Sequence, residues 1–165
     1  RIDAIAAALG VPGAGERLAR SARARIEAEQ ARIPTGVEAP RVAFLYLRGG
    51  SGVYLVGGPG SGADSMIESA GGVDAGSAVG LDRPFTPMTG EGLVAAAPDV
   101  LLLTTTGLAS VGGVDGLLGI PGVAQTPAGR DRRIATLEDG LLYSFGPRTA
   151  EALALLIAQI HGVER

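Results

Sequence analysis

The segment from Arg41 to Gly62, RVAFLYLRGGSGVYLVGGPGSG, constrains the fold more than any other stretch of this chain. It predicts a buried strand, a glycine-rich loop beyond it, and a helix starting at Ala63. Alternation along the strand puts Val42, Phe44, Tyr46 and Arg48 on one face and Ala43, Leu45 and Leu47 on the other. Tyr46 and Arg48 then share one face at the strand's carboxyl end, which is where open α/β sheets bind ligands.

The rest of the chain supplies what such a strand needs. Residues 2–9 read as a helix stopped by Gly10 and restarted after Pro12. From about Gly15 to Ile33 the pattern is helical and charged, with Leu18, Ala22 and Ile26 as a narrow apolar stripe. Pro34, Gly36 and Pro40 end this arm and form a linker. After the glycine loop (Gly49, Gly50, Gly52, Gly57, Gly58, Gly60, Gly62), Ala63–Ala70 reads as a helix closed by Gly71 and Gly72. Residues 73–87 read as irregular, with a short strand near Ala78 and Val79. Thr89 is set to cap a helix over Gly90–Ala97, and the run from Val100 to Thr105 reads as a central strand. Val111–Leu118 reads as a glycine-rich helix, Pro121–Arg132 as loop and Arg133–Leu137 as a strand. Glu138 to Gly140 reads as a turn, Leu141–Phe145 as extended, and the last helix runs from Pro147 to about His161. Strands alternating with helices predict a Rossmann-like α/β unit, its sheet mostly parallel and flanked by helices, preceded by an N-terminal helical arm. The division is residues 1–36 as arm and 37–165 as lobe.

Composition removes several classes of function. A net charge of −3 argues against nucleic acid and against an anionic membrane surface as partners. With no cysteine there is no disulfide, thiolate metal site or cysteine nucleophile. No apolar run approaches the roughly 18 residues of a membrane span. The chain opens on Arg1, inside a predicted helix, and reads as a fragment of a longer protein whose targeting segment lies elsewhere.

Catalysis finds no centre. The single histidine, His161, sits near the end of the last helix. There is no Gly-x-Ser-x-Gly elbow, and the carboxylates Asp64, Glu68, Asp74, Asp82, Glu91, Asp99 and Asp115 are scattered without metal-ligand spacing. Gly57–Gly62 precedes a helix, as a phosphate loop would, and this keeps open a cytosolic α/β enzyme that binds a phosphate-type ligand there. It lacks the Lys-Ser/Thr of a P-loop and does not match the dinucleotide-binding spacing. Tyr46 and Arg48 remain. They are either a packed strand-end tyrosine beside a salt-bridged arginine, or a ligand site. A tyrosine holds ferric haem iron as its phenolate, and an adjacent guanidinium favours that form.

The order of segments resembles the C-terminal lobe of the helical-backbone substrate-binding proteins of ABC importers that carry haem, cobalamin and ferric siderophores. The resemblance runs from the helix pair of residues 2–33, similar to the family's interlobe helix, through RVAFLYLRGG, MIESAGGVD (Met66–Asp74) and TGEGLVAAAPDVLLLT (Thr89–Thr104) to the closing Leu141–His161. Tyr-x-Arg on this strand is similar to the haem-binding members. The resemblance implies Tyr46 as iron ligand, Arg48 hydrogen-bonded to it, Tyr54 as the second choice of ligand, and Glu91 docking onto the permease. It also implies haem as transported cargo, a missing N-terminal lobe, and no catalysis. The location implied is extracytoplasmic, as a periplasmic protein or membrane-anchored lipoprotein. Ferric-siderophore or cobalamin binding is the alternative within the family.

Overall fold

A computed structural model describes residues 2–143 and 145–163. In chain order the elements are α1 (Ile2–Ala8), α2 (Pro12–Gln30), β1 (Arg41–Arg48), β2 (Val53–Gly57), α3 (Ala63–Ser69), β3 (Val73–Asp74), α4 (Ala75–Ala78) and β4 (Phe85–Pro87). They continue with α5 (Gly90–Ala96), β5 (Val100–Thr104), α6 (Thr105–Ser110), α7 (Gly113–Leu118), α8 (Pro127–Arg130), β6 (Ile134–Leu137), α9 (Asp139–Tyr143) and α10 (Thr149–His161).

The sheet runs β4-β2-β1-β5-β6. β1, β5 and β6 are parallel, with Phe44 opposite Leu102 and Leu102 opposite Ala135. β3 adds two parallel residues beside the start of β1. β2 and β4 make an antiparallel flank on the other side. Burial explains the order. Every residue of β5 is buried, and β1 is buried from Val42 to Leu45, so both strands must lie inside a sheet covered on both faces.

Two cores result. On the face of Val42, Phe44 and Leu102, α3, α9 and α10 contribute Met66, Ile67, Leu142, Leu153, Leu156 and Ile157. On the face of Ala43, Leu45 and Leu103, α4, α5, α7 and α8 contribute Ala75, Leu93, Leu117 and Ala128. The architecture is a three-layered α/β/α unit, as the alternation of elements predicts.

The N-terminal arm is docked over part of its length. Ile26 and Ile33 pack against the first core, and the Gln30 side chain donates to the Ser69 carbonyl at 3.1 Å. Gly15 and Ala19 are the buried positions of α2, and Ala6 is buried in α1. Leu18, expected on the apolar stripe, is exposed. His161 caps a neighbouring helix: its Nε2 is 2.8 Å from the Ala70 carbonyl, just past α3.

Four segments differ from expectation. The glycine loop is interrupted by β2. A tight 3-10 turn at Gly49–Ser51 and a left-handed Gly52 (φ +64°) reverse the chain, and the apolar run beyond, Val53–Val56, pairs antiparallel with β1. The strand near Ala78 and Val79 is instead the end of α4, because Asp74 caps that turn by accepting from both the amide and the hydroxyl of Ser77. The extended strand lies further on, at β4. Residues 141–143 close the helix α9 and Ser144 lies outside the described residues; α9 opens at Asp139, immediately after β6. Residues 121–132 are not all loop, since buried Thr126 caps α8 with Pro127 at its first position.

Candidate functional site

Three parallel strands end side by side, and the residues just past their ends build one constellation. β1 ends in Arg48, β5 runs into α6 through Thr104 and Thr106, and β6 is followed by Asp139. Arg48 Nη2 lies 3.4 Å from Asp139 Oδ1. Its Nη1 donates to Thr106 Oγ1 and to the Leu47 carbonyl, each at 3.3 Å. The Thr106 hydroxyl sits 2.8 and 2.7 Å from the two Asp139 oxygens.

The guanidinium carbon of Arg48 stands 4.8 Å from the centre of the Tyr46 ring, a cation–π contact. Among the described hydrogen bonds of Arg48, none reaches the Tyr46 hydroxyl. In this ligand-free chain the guanidinium lies over the ring, while its hydrogen bonds go to Thr106, Asp139 and the Leu47 carbonyl. Phe85 lies 5.6 Å from the Tyr46 ring, and Phe44 meets both Phe85 and Tyr143 edge-on at 6.3 Å. The chain has three tyrosines and three phenylalanines. Four of those six rings, Phe44, Tyr46, Phe85 and Tyr143, join in this cluster.

The two phenols are not equivalent. Burial pushes the Tyr143 phenol up to about 12, with Tyr46 and Asp139 adding to the rise and Arg48 opposing it. Tyr143 therefore stays a hydrogen-bond donor at neutral pH. Tyr46 is the phenol with a cation on its ring.

Burial alone would raise the Asp139 carboxyl, but hydrogen bonds from Thr106 and Arg48, with the Arg48 charge, outweigh it and hold the group below its ordinary value. A carboxyl depressed on folding adds stability above its unfolded pKa and loses it as pH falls through the folded one. Asp139→Asn is expected to flatten the fall in melting temperature between about pH 5 and pH 2. Parallel profiles for the two proteins would mean the network contributes nothing to acid stability.

The other predicted residues lie elsewhere. Tyr54 pairs with Leu47 across the hairpin and packs in the second core, on the opposite face of the sheet from Tyr46. It lines a separate cavity of about 510 Å³ with Met88, Ile120 and Pro121. Glu91 is exposed in the first turn of α5, whose Leu93 and Ala96 face that second core. The backbone amides of Gly60 and Gly62, which a phosphate would need, already donate to the Asp64 carboxylate at 2.7 and 2.9 Å. No group of three or more His, Cys, Asp or Glu that could hold a metal ion occurs among the described residues, and none of their helices is long and apolar enough to cross a membrane. Thr106, Asp139, Tyr143 and Phe85 escape the sequence reading. The available signal for Thr106 and Asp139 was their place just after predicted strands, for Tyr143 a place inside a stretch predicted as extended, and for Phe85 an aromatic in a stretch without helical pattern.

The sequence model of the periplasmic binding proteins matches residues 1–141. The chain belongs to that family. Proteins of this family are substrate-binding proteins rather than enzymes, and the family implies an extracytoplasmic location.

Solved structures agree with this membership. The periplasmic heme-binding protein RhuT of Roseiflexus sp. RS-1, in apo form, is 47% identical with a TM-score of 0.91, over 98% of this chain and 60% of that one. The periplasmic heme-binding protein BhuT, in complex with two hemes, is 40% identical with a TM-score of 0.83, over 98% and 60%. The heme-binding protein HmuT is 36% identical with a TM-score of 0.88, over 96% and 52%. HmuT has also been solved with a tyrosine, an arginine two positions later, and a histidine each changed to alanine. Comparison with curated proteins found no match. This periplasmic binding protein chain thus spans between about half and two thirds of the solved relatives' length.

Proposed function

We propose that this chain is the C-terminal lobe of a two-lobed binding protein that captures haem through Tyr46 and delivers it to an ABC transporter permease. The observation that carries the reading is the Tyr46–Arg48 pair at the carboxyl end of β1, inside the cluster of four rings. A flat apolar ligand suits an aromatic surface, and phenolate oxygen suits ferric iron. When iron takes the place of the phenol proton, the nearby guanidinium favours the resulting anion. Names of the similar structures support haem as cargo, and the altered tyrosine and arginine of HmuT have the spacing of Tyr46 and Arg48.

In this reading residues 1–36 are the helical arm that leads to the other lobe, and residues 37–165 are the lobe itself. Glu91, exposed on α5, serves docking onto the permease, and the intact protein is held outside the cytoplasm, free in the periplasm or by a lipid anchor. Tyr54, on the far face of the sheet, stays the second choice of ligand and would need a site of its own there.

One lobe alone is expected to bind haem weakly or not at all, so ferric haem titration of the intact two-lobed protein and of its Tyr46→Phe variant, followed by visible absorption, tests the ligand. The parent is expected to give a shifted Soret band and a tyrosinate-to-iron charge-transfer band, the latter lost in the variant. Equal spectra for the two would remove Tyr46 and bring forward ferric siderophores or cobalamin as cargo.

A further inference from the structure

Arginine has a long side chain with much rotamer freedom to lose, so a guanidinium that must stay beside one ring needs something to hold it. At the end of β1 that holder is identifiable. The Thr106 hydroxyl has one proton to donate. Both Asp139 oxygens lie within 2.8 Å of it, so the proton goes there and the oxygen's lone pairs are left for Arg48 Nη1 at 3.3 Å. The direction is therefore fixed as Arg48 to Thr106 to Asp139, with a direct contact from Arg48 Nη2 to Asp139 closing the ring.

The two holders are themselves fixed. Thr106 sits in the first turn of α6, whose start is capped by buried Thr104 accepting from the Gly107 amide at 3.1 Å. Asp139 opens α9, anchored by buried Leu141 and Leu142. A carboxylate and a hydroxyl placed by two independent elements make a rigid station for a mobile cation.

We propose that Asp139, acting with Thr106, is the positioning residue that holds the Arg48 guanidinium over the Tyr46 ring. This deepens the reading of Tyr46 as the iron ligand and rests on it only for its purpose. The placement itself is a property of the ligand-free chain.

Arginine side-chain NMR of the ligand-free protein tests it directly. A guanidinium stacked on a tyrosine is shifted upfield by the ring current, and the Arg48 signal is assigned by its disappearance in Arg48→Lys. In Asp139→Asn and in Thr106→Val that shift is expected to be lost, while Thr106→Ser, which keeps the hydroxyl, retains it. Backbone amide spectra of β1 and β5 show whether each variant is folded, and Thr106→Val carries the test if Asp139→Asn does not fold. A shift that persists in the folded variants overturns the proposal, as does its absence in the parent. The two ideas fail separately. If Tyr46→Phe leaves the haem spectrum of the intact two-lobed protein unchanged but the shift behaves as stated, the reading of Tyr46 as ligand falls and the positioning stands. If haem binds through Tyr46 and the shift survives Asp139→Asn, the reverse holds.

Discussion

Phe44→Ala is expected to destabilise the protein by about 3–5 kcal/mol, the range for an aromatic removed from a packed core. Phe44 is fully buried in the central strand, and its neighbours have little freedom to close the gap. The backbone of β1 is pinned by β5 on one side, where Phe44 faces Leu102, and by β2 on the other from Leu45 onward. Even the hairpin is shaped around this ring, since a Cβ on Gly57 would come within 2.7 Å of it. The loss reaches the site as well. Phe44 lies edge-on to both Phe85 and Tyr143, so its removal leaves the aromatic cluster without its floor, and the tyrosine near-UV signal is expected to weaken with the stability. Denaturant unfolding measures the first effect, as a lower midpoint with an unchanged slope. A loss below about 1 kcal/mol would mean that the site collapses far better than these constraints allow.

Legibility in the sequence tracked burial. β1, β5 and α10 were readable because their apolar residues are numerous and regularly placed, so local pattern and tertiary environment agree. β2 was not, because glycines on both sides of Val53–Val56 made a short strand look like the middle of a loop, and with it Tyr54 was left without a face. Asp139 and Thr106 were hidden for a different reason. They meet Arg48 across 91 and 58 residues of chain, and no local pattern encodes a meeting that only the order of parallel strands creates. The same order made the location predictable even where the residues were not. In an open α/β sheet the carboxyl ends of adjacent strands bring together the residues immediately past each strand. Tyr46 and Arg48 could be paired from sequence because they lie two residues apart on one strand.

Gly49 and Gly50 provide a sharper test of how that site is held, because two adjacent glycines of one turn are expected to respond differently to alanine. Neither has a positive φ, so backbone strain does not separate them and only space does. A Cβ on Gly49 would lie 2.3 Å from the Ser110 carbonyl oxygen and 3.1 Å from Val111 Cγ1, whereas nothing stands within 4 Å of a Cβ on Gly50. The obstacle at Gly49 is backbone, which cannot swing aside as a side chain would. Gly49 itself has little freedom to retreat, since its amide donates to Ser110 Oγ at 3.0 Å, and that hydroxyl in turn donates to the Gly107 carbonyl at 2.7 Å. Gly49→Ala must therefore push the carboxyl end of α6 away from β1, at a cost of about 1–3 kcal/mol for overpacking. Gly50→Ala should stay within about 0.5 kcal/mol of the parent. Because Thr106 rides on α6, the displacement carries off one of the two groups that hold Arg48, and the upfield shift of its guanidinium should diminish in Gly49→Ala and not in Gly50→Ala. Equal stabilities and equal shifts in the two variants would show that α6 yields without disturbing the site, and that the close approach at Gly49 is not what fixes Thr106 in place.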